Sequence, residues 1–199
     1  MMARKPLGMT DIEAASVPVV AVTAWQMLFD YAHAKPGQTV MILGAAGNVG
    51  AYAVQFAARA GLHVVAVVTK KQTDYVRSLG AEIVLDSQIG TFEDSAPLVD
   101  LLIDTVGAET RERSLGSLKL GGVLFSVVFT DPLPSRPDVR TVFFYVEVTT
   151  ERLNTISKLF DSGELQPRVG SVLPLKEVRT AHEMLAGAPH KRGKIVLRV

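Results

Sequence analysis

The glycine-rich segment Gly44-Ala45-Ala46-Gly47-Asn48-Val49-Gly50 is the part of this sequence best suited to chemistry. It directly follows the apolar run Thr39–Leu43 and opens an apolar helical pattern that continues to about Ala60. A strand, a glycine loop and a helix in that order are the arrangement with which many proteins bind the phosphates of a dinucleotide. The segment therefore predicts a phosphate-binding loop, and a tight strand-to-helix turn without a ligand is the simpler alternative.

Individual positions of this loop have separate expected roles. Gly47 would let the backbone approach a pyrophosphate, and Gly50 would let the helix pack close to the strand. The backbone amides of Asn48 and Val49 would donate to the phosphates at the positive end of the helix. Ala45 occupies the position of the first glycine in the strict GxGxxG pattern, so the pattern is missed by one residue and Ala45 is included among the expected cofactor-binding residues.

The residues after the second apolar run, His63–Val68, bear on which dinucleotide binds. NAD-binding folds place an acidic residue about 20 positions past the glycine loop, where it binds the ribose 2′-hydroxyl. This sequence has Thr69 there, followed by Lys70 and Lys71. A carboxylate would repel a 2′-phosphate, whereas a hydroxyl and two ammonium groups attract it. These residues predict NADPH rather than NADH, the alternative being two lysines that are simply solvated.

Metal and nucleophile chemistry have little support in the sequence. It contains no cysteine, which excludes disulfides, cysteine-ligated zinc and a thiolate nucleophile. No GxSxG elbow is present, which argues against an α/β-hydrolase. The histidines lack a second ligand at a suitable spacing and are His33, His63, His182 and His190. We therefore expect no metal.

Composition points to one well-buried domain. The chain has 199 residues, with 21 Lys and Arg against 20 Asp and Glu, and 48% of its residues are hydrophobic. The near-neutral charge argues against an electrostatic nucleic-acid binder. The longest apolar runs, Val17–Val22 and Val64–Val68, are far shorter than the roughly 18 residues that a membrane span needs. Because the N-terminus has no signal-peptide pattern, we expect a cytoplasmic protein without nucleic-acid or membrane partners.

Short β-branched runs alternate with helical patterns along the chain, which is typical of βαβ units and a parallel sheet. Runs of Val, Ile and Leu without polar alternation indicate strands that are buried on both faces. The expected strands are Thr39–Leu43, His63–Val68, Ile83–Leu85, Val99–Ile103, Val123–Val128 and Thr141–Val148. The sequence thus predicts an α/β fold, a Rossmann-type doubly wound parallel sheet of about six strands with flanking helices.

The two ends of the chain differ from this pattern. Asp11–Tyr31 predicts one incoming helix with Thr10 or Asp11 as its N-cap. We expect an N-terminal segment and helix over residues 1–36, a Rossmann domain over residues 37–150, and C-terminal helices with a closing strand over residues 151–199. The proline-rich loop Asp131–Pro137 is expected to be mobile.

Five stretches carry a resemblance to a known family: TAWQMLFDYAHAKPGQTVMILGAAGNVG, VRSLGAEIVLD, DTVG, ERSLGSLKLGGVLFSVV and RGKIVLRV. In order and spacing they resemble the medium-chain dehydrogenase/reductase superfamily, and within it the zinc-independent, quinone-oxidoreductase-like NADPH enzymes. The resemblance runs from about Lys5 to Val199. It implies that this sequence is the cofactor-binding half of a two-domain reductase, without the N-terminal GroES-like domain whose sheet the closing strand normally joins.

The resemblance also implies a cofactor site that extends beyond the glycine loop. Thr23 matches a residue that approaches the nicotinamide, and Val19 stands where zinc-dependent relatives have a cysteine ligand. Further matching positions lie at the ends of the fourth and fifth strands and at the start of the sixth: Thr105, Val106, Gly107, Ser126, Val127, Val128, Phe143 and Phe144. Core packing is the alternative role for all of them, and no catalytic residue is assigned.

The function implied by the resemblance is NADPH-dependent reduction of a quinone or of an activated alkene or carbonyl. By itself this half is expected to bind NADPH but to turn over slowly, with Ile195 and Leu197 of the closing strand on a bare and frayed edge. A homodimer is expected through the edge strand Thr141–Val148. The alternatives are a non-catalytic nucleotide-binding module or sensor, a crystallin-like structural role, and an S-adenosylmethionine methyltransferase, against which Thr69 argues.

Overall fold

The computed structural model describes residues 2–128 and 136–199. It divides into two compact units. The continuous stretch Thr23–Val146 is called the sheet unit here, and Met1–Val22 with Glu147–Val199 is called the terminal unit. Residues 131–135 of the proline-rich loop, for which the sequence predicts mobility, lie outside the described residues.

Six parallel strands form the sheet of the sheet unit: β1 (Thr39–Leu43), β2 (His63–Val68), β3 (Ile83–Asp86), β4 (Val99–Asp104), β5 (Leu118–Ser126) and β6 (Arg140–Val142). Their order is β3-β2-β1-β4-β5-β6, with the strand order reversing between β1 and β4. Leu43 at the end of β1 pairs with Val67 on one side and with Asp104 on the other. This confirms the predicted Rossmann-type sheet, and it aligns the carboxyl ends of the strands along one edge.

The α-helices of the described residues are α1 (Asp11–Ala15), α2 (Pro18–Trp25), α3 (Asn48–Arg59), α4 (Thr73–Ser78), α5 (Ala108–Ser114), α6 (Thr150–Asp161) and α7 (Val178–Leu185). A π-helix covers Gln26–Tyr31, and 3₁₀ turns cover Lys70–Gln72, Phe92–Ser95, Leu115–Ser117 and Leu175–Glu177. Two further strands, β7 (Val169–Pro174) and β8 (Lys194–Arg198), form a parallel pair in the terminal unit. No described helix has the length and apolar character that crossing a membrane requires.

The core of the sheet unit consists of apolar side chains on adjacent strands. Met41 and Leu43 of β1 pack with Val65 and Val67 of β2 and with Leu102 of β4. All five are essentially inaccessible to solvent. Burying each such side chain contributes about 1.5–3 kcal/mol to the free energy of unfolding, so the central strands form a rigid platform under the loops at their ends.

Aromatic rings fix the position of α3. Phe56 contacts the rings of Trp25 and Phe29, with centroids 5.4 and 6.2 Å away. Tyr52, one turn earlier, is also buried, and this burial, with a smaller contribution from Tyr75, raises the pKa of its phenol above the ordinary value. The phenol is therefore neutral at physiological pH. The packing sets the axis of α3 and hence where the glycine loop meets the helix.

The prediction of a single helix over Asp11–Tyr31 is wrong at its centre. The predicted cap at Thr10 is confirmed, since its hydroxyl accepts from the Glu13 amide at 3.2 Å. That helix ends at Ala15, however, and a new one begins at Pro18. Proline has no N–H and its ring clashes with the preceding turn, so it interrupts a running helix but is favoured at the start of one.

The same prediction is also wrong beyond Trp25, where the helix becomes a π-helix. The Ala32 amide donates to the Met27 carbonyl at 3.1 Å, a span of five residues instead of four. Widening of this kind depends on how a helix packs against its neighbours. Apolar periodicity therefore does not reveal it.

The sixth strand is shorter than predicted. Pairing with β5 covers Arg140–Val142, not Thr141–Val148. Beyond it, the ring of Phe144 lies 4.8 Å from that of Tyr31, and the Arg140 guanidinium donates to the Tyr31 carbonyl at 3.0 Å. Phe144 therefore packs against the end of the π-helix, and the residues after β6 do not extend the strand.

The expectation of a frayed closing strand is also wrong. β8 pairs in parallel with β7, with Val196 opposite Val172 and Leu197 opposite Leu173. Val196 is buried in the terminal unit. The pattern around Val172 predicts a short strand, but β8 was expected to have no partner within this chain. The two strands pair residues that lie 24 positions apart, and local sequence does not reveal a pairing over that distance.

A carboxylate near the start of β4 ties three strands together. Asp100 accepts from the Thr39 amide at 2.8 Å and from the Lys119 ammonium at 2.9 Å. Burial opposes ionisation of Asp100, but these hydrogen bonds and the positive charge of Lys119 together hold the pKa of its carboxyl below the ordinary value. The starts of β1, β4 and β5 are thus linked through one charged group.

Candidate functional site

The glycine loop is closed by two contacts that leave no room for side chains. Gly44 has a positive φ of 70°, and a Cβ there would lie 2.5 Å from the Thr105 hydroxyl oxygen. A Cβ on Gly50 would lie 2.3 Å from the Gly44 carbonyl oxygen. The turn that follows β1 therefore requires glycine at both positions. Gly44 was not among the predicted site residues, although its place directly after a strand was a usable signal.

Ala45 does not take over the role of a missing glycine. Its side chain is fully buried and its φ is not positive, so the turn conformation belongs to Gly44. The Ala45 amide donates to the Val67 carbonyl at 3.4 Å, which attaches the loop to the end of β2. The sequence thus departs from GxGxxG at Ala45 because the residue that makes the turn is Gly44, one position earlier.

The first turn of α3 presents backbone amides without a side-chain cap. Gly47 is the N-cap residue, and its own amide donates to the Gly44 carbonyl at 2.8 Å. Gly47 and Asn48 are exposed, and Val49 is half-buried. The amides of Asn48 and Val49 have no acceptor within the helix, because the first N–H groups of any helix lack one. An anion at this position would accept from them and would lie at the positive end of the helix dipole.

Thr69, Lys70 and Lys71 follow the carboxyl end of β2, as predicted. The side-chain oxygen of Gln72 accepts from the Thr69 hydroxyl at 3.2 Å and from the Thr69 amide at 3.4 Å, which holds the start of this turn. Both lysine side chains are exposed. Within the described part of the chain neither of them forms an ion pair. The two lysines therefore follow β2 at the same edge of the sheet as the glycine loop that follows β1.

The loop after β4 lies against the glycine loop. The Thr105 hydroxyl donates to the Leu43 carbonyl at 2.8 Å, and the Val106 side chain would contact a Cβ on Gly44. Val106 is 48% exposed, so its side chain borders the solvent-facing edge, whereas Gly107 is buried. The structure thus places two predicted residues after β4, Thr105 and Val106, against the end of β1 and against Gly44, which was not among the predicted site residues.

The remaining predicted residues are farther along the same edge or in other elements. Val127 and Val128 follow β5, and Val127 donates to the Asp104 carbonyl at 3.1 Å. Phe143 and Phe144 follow β6 and are half-buried. Thr23 is not at a strand end but lies buried in α2, whose last residue contacts α3.

The predicted residue Ser126 has a hydrogen-bond partner inside the protein. The Ser126 hydroxyl, predicted as a cofactor contact, is buried and donates to Asp104 at 2.8 Å.

A cavity of about 390 Å³ lies in the terminal unit, beside Met9, Ile156 and Phe160, and its lining includes none of the predicted cofactor-binding residues. The strand edge, not this cavity, therefore carries the predicted site.

Comparison with known proteins agrees with this arrangement. A family model described as zinc-binding dehydrogenase matches residues 79–197, well over half of the chain. A probable zinc-binding oxidoreductase, mitochondrial, from Arthroderma benhamiae is 32% identical, and the match covers 100% of this chain and 65% of that protein. NAD(P)H oxidoreductase RTN4IP1, mitochondrial, from Mus musculus is 30% identical, and the match covers 100% of this chain and 58% of that protein. The chain thus spans about three fifths of the length of these curated relatives.

Solved structures give the same result. The quinone oxidoreductase from Coxiella burnetii superposes with a TM-score of 0.85 at 28% identity, and the match covers 98% of this chain and 63% of that one. The chain belongs to the zinc-binding dehydrogenase family, part of the medium-chain dehydrogenase/reductase superfamily.

Proposed function

We propose that this chain is the cofactor-binding part of a zinc-independent reductase that uses NADPH to reduce a quinone or an activated alkene or carbonyl. The observation that carries the proposal is the side-chain-free cradle formed by Gly44 and Gly50, with the uncapped first turn of α3 beside it. A backbone cradle at a helix N-terminus fits a pyrophosphate. The quinone oxidoreductase and NAD(P)H oxidoreductase names of two relatives support the substrate and cofactor class.

Each group of residues would then bind one part of the cofactor. The amides of Asn48 and Val49 would hold the pyrophosphate, and Lys70 and Lys71 would hold a 2′-phosphate. The loop after β4 would border the adenosine ribose, and the residues after β5 and β6 would lie toward the nicotinamide. When bound, the nicotinamide supplies the hydride, so the residues of this chain orient it and exclude water from one side.

Zinc does not fit the residues present. The described residues contain no group of three His, Cys, Asp or Glu side chains that could hold a metal ion, and the whole sequence lacks cysteine. By the resemblance described above, Val19 stands where zinc-dependent relatives place a cysteine ligand. Despite the name of the family, the proposed reaction therefore has no zinc-dependent step in this chain.

Binding is tested first by thermal shift with NADPH, NADH and S-adenosylmethionine in parallel. We expect NADPH to raise the melting temperature most and S-adenosylmethionine to leave it unchanged. Transfer is tested with NADPH carrying deuterium at nicotinamide C4 and a panel of quinones and enones. Deuterium in the product above the protein-free rate supports the reductase. Binding without any transfer, even after a GroES-like domain has been fused ahead of Arg4, supports a non-catalytic binding module. No shift with either nicotinamide cofactor would contradict the proposal.

Replacing both Lys70 and Lys71 with alanine should weaken NADPH binding and leave NADH binding unchanged. Losing two charge-assisted contacts to a phosphate is expected to cost about 1–3 kcal/mol, which corresponds to roughly 5-fold to 150-fold in Kd. The measurement is a fluorescence titration with each cofactor.

The matched control for that double variant is Lys176→Ala. Lys176 is an exposed lysine of the terminal unit in the turn Leu175–Glu177. The substitution removes an exposed positive charge and changes none of the predicted cofactor-binding residues, so both affinities should stay as in the wild type. Equal affinities of the wild-type chain for NADPH and NADH would contradict the assignment of the two lysines.

We also propose a homodimer through the β6 edge of the sheet. β6 is an outer strand, and the residues that follow it include Tyr145, which is 85% exposed, and Val146. Exposed apolar side chains that follow a short outer strand favour the association of two copies of a chain. Tyr145→Glu would place like charges near each other across a two-fold interface, so light scattering should show a dimer for the wild type and a monomer for the variant. A monomeric wild type at micromolar concentration would contradict the proposal.

The predicted cytoplasmic location stays a prediction. The two curated relatives named above carry "mitochondrial" in their names, which is a property of those proteins. Imaging of the tagged protein in its own cells distinguishes the two compartments.

A further inference from the structure

A buried carboxylate lies directly behind the proposed cofactor edge. Asp104 is the last residue of β4 and is completely inaccessible to solvent. Its Oδ1 accepts from the amide of Val106 at 2.9 Å and from the amide of Gly107 at 2.6 Å. Its Oδ2 accepts from the Ser126 hydroxyl at 2.8 Å. Three donors from two strand ends therefore converge on one side chain.

The Oδ1 contacts determine the shape of the loop that follows β4. Gly107 has a positive φ of 79°, and the loop turns back so that both amides point at the strand they have just left. The same turn brings the Thr105 hydroxyl to the Leu43 carbonyl and against Gly44. The Asp104 carboxylate is thus connected to the glycine loop through a short chain of contacts.

The Oδ2 contact connects the same carboxylate to the end of β5. The Ser126 oxygen accepts from the Val128 amide at 3.2 Å and lies 2.9 Å from the Val128 carbonyl. A hydroxyl has one proton, and the charged carboxylate is the stronger acceptor, so Ser126 donates to Asp104. Ser126 therefore holds the turn after β5 by accepting from it and is anchored by donating to Asp104.

Arg111 balances the charge of this network. Its Nη1 lies 3.9 Å from the Asp104 Oδ2, and the side chain is 4% exposed. A buried carboxylate is tolerated only when its lone pairs are filled and a counter-charge is near, and both conditions hold here. The network is therefore rigid, and removing any one donor leaves a buried polar group without its partner.

We propose that Asp104 is a positioning residue for the nicotinamide cofactor, acting through Ser126 and the Val106 and Gly107 amides. The proposal rests on the proposed function, because it assigns the network the task of holding the loops after β4 and β5 in the geometry that accepts the ribose and nicotinamide. Asp104 itself touches no ligand, since it is fully buried. The alternative is that this buried hydrogen-bond network contributes only to folding and has no role in cofactor binding.

Ser126→Ala tests this proposal against the matched control Ser114→Ala. Ser114 is also buried and also a hydrogen-bonded serine, but its hydroxyl donates to the Thr110 carbonyl inside α5, away from the strand ends. Both variants lose a buried hydroxyl, so they should lose similar thermal stability. We expect Ser126→Ala to bind NADPH roughly tenfold more weakly or worse, the size of one hydrogen bond to a charged group, and Ser114→Ala to bind as the wild type does.

Amide hydrogen exchange without cofactor gives a readout that does not depend on binding. The amides of Val106, Gly107 and Val128 should exchange faster in Ser126→Ala and in Asp104→Asn than in the wild type, and their rates should be unchanged in Ser114→Ala. If Asp104→Asn does not fold, Ser126→Ala alone decides. Wild-type NADPH affinity in Ser126→Ala would overturn this inference and leave the proposed function intact. A wild-type chain that binds neither NADPH nor NADH would overturn both.

Discussion

Gly50→Ala is expected to abolish detectable NADPH binding and to lower the free energy of unfolding of the sheet unit by about 3 kcal/mol or more. The new Cβ would lie 2.3 Å from the Gly44 carbonyl oxygen and 2.8 Å from the Ala45 Cα. Both are backbone atoms, so no side chain can move aside. The glycine loop and α3 must separate, which removes the cradle and the packing of the helix on β1.

The control for this substitution is Gly116→Ala. A Cβ there would meet no heavy atom within 4 Å, and the backbone needs no positive φ. Urea denaturation and a fluorescence titration with NADPH should therefore give values close to those of the wild type. Undiminished NADPH binding by a folded Gly50→Ala chain would show that the close approach of loop and helix is not needed for the ligand.

Phe56→Ala should be the most damaging core substitution that leaves the sheet edge chemically unchanged. Phe56 is 1% exposed and its ring contacts those of Trp25, Phe29 and Tyr52. Removing a fully buried ring leaves a cavity and costs about 3–5 kcal/mol. We expect that loss in urea denaturation followed by Trp25 fluorescence, the only tryptophan in the sequence.

The comparison for Phe56→Ala is Leu120→Ala, which truncates an apolar side chain that is 84% exposed. A surface truncation of this kind should change the free energy of unfolding by less than about 0.5 kcal/mol. A similar small effect from Phe56→Ala would mean that the aromatic cluster relaxes without penalty, contrary to the close packing seen around α3.

Local sequence was enough to predict the central part of this fold. The runs in β1, β2 and β4 are continuous, apolar and separated by helical patterns, so their identity as buried parallel strands follows from composition and spacing. The glycine loop was found for the same reason, because its position between a strand and a helix is a local property.

The errors occur where a partner far along the chain decides the structure. The edge strand stops at Val142, and the ring of Phe144 beyond it contacts Tyr31, more than 100 residues earlier. β8 finds β7, and the helix after Trp25 widens, for equally non-local reasons. Asp104 was missed as a functional residue because a buried carboxylate is recognisable only once its donors are placed around it, although DTVG was part of the resemblance.

The two aspartates of β4 have a consequence for strand alignment. Strands made wholly of Val, Leu and Ile that are buried on both faces lose little apolar burial when they slide by one or two positions, so their sequences specify alignment poorly. At one end of β4, Asp100 accepts a hydrogen bond from the Thr39 amide. At the other end, Asp104 accepts hydrogen bonds from the Val106 and Gly107 amides and from the Ser126 hydroxyl. A slip of β4 in either direction would separate Asp100 from the Thr39 amide and the buried Asp104 from the Ser126 hydroxyl. The polar residues at the two ends of β4 thus disfavour the neighbouring registers. They specify the alignment with β1 and β5 that the apolar centre of the strand leaves open.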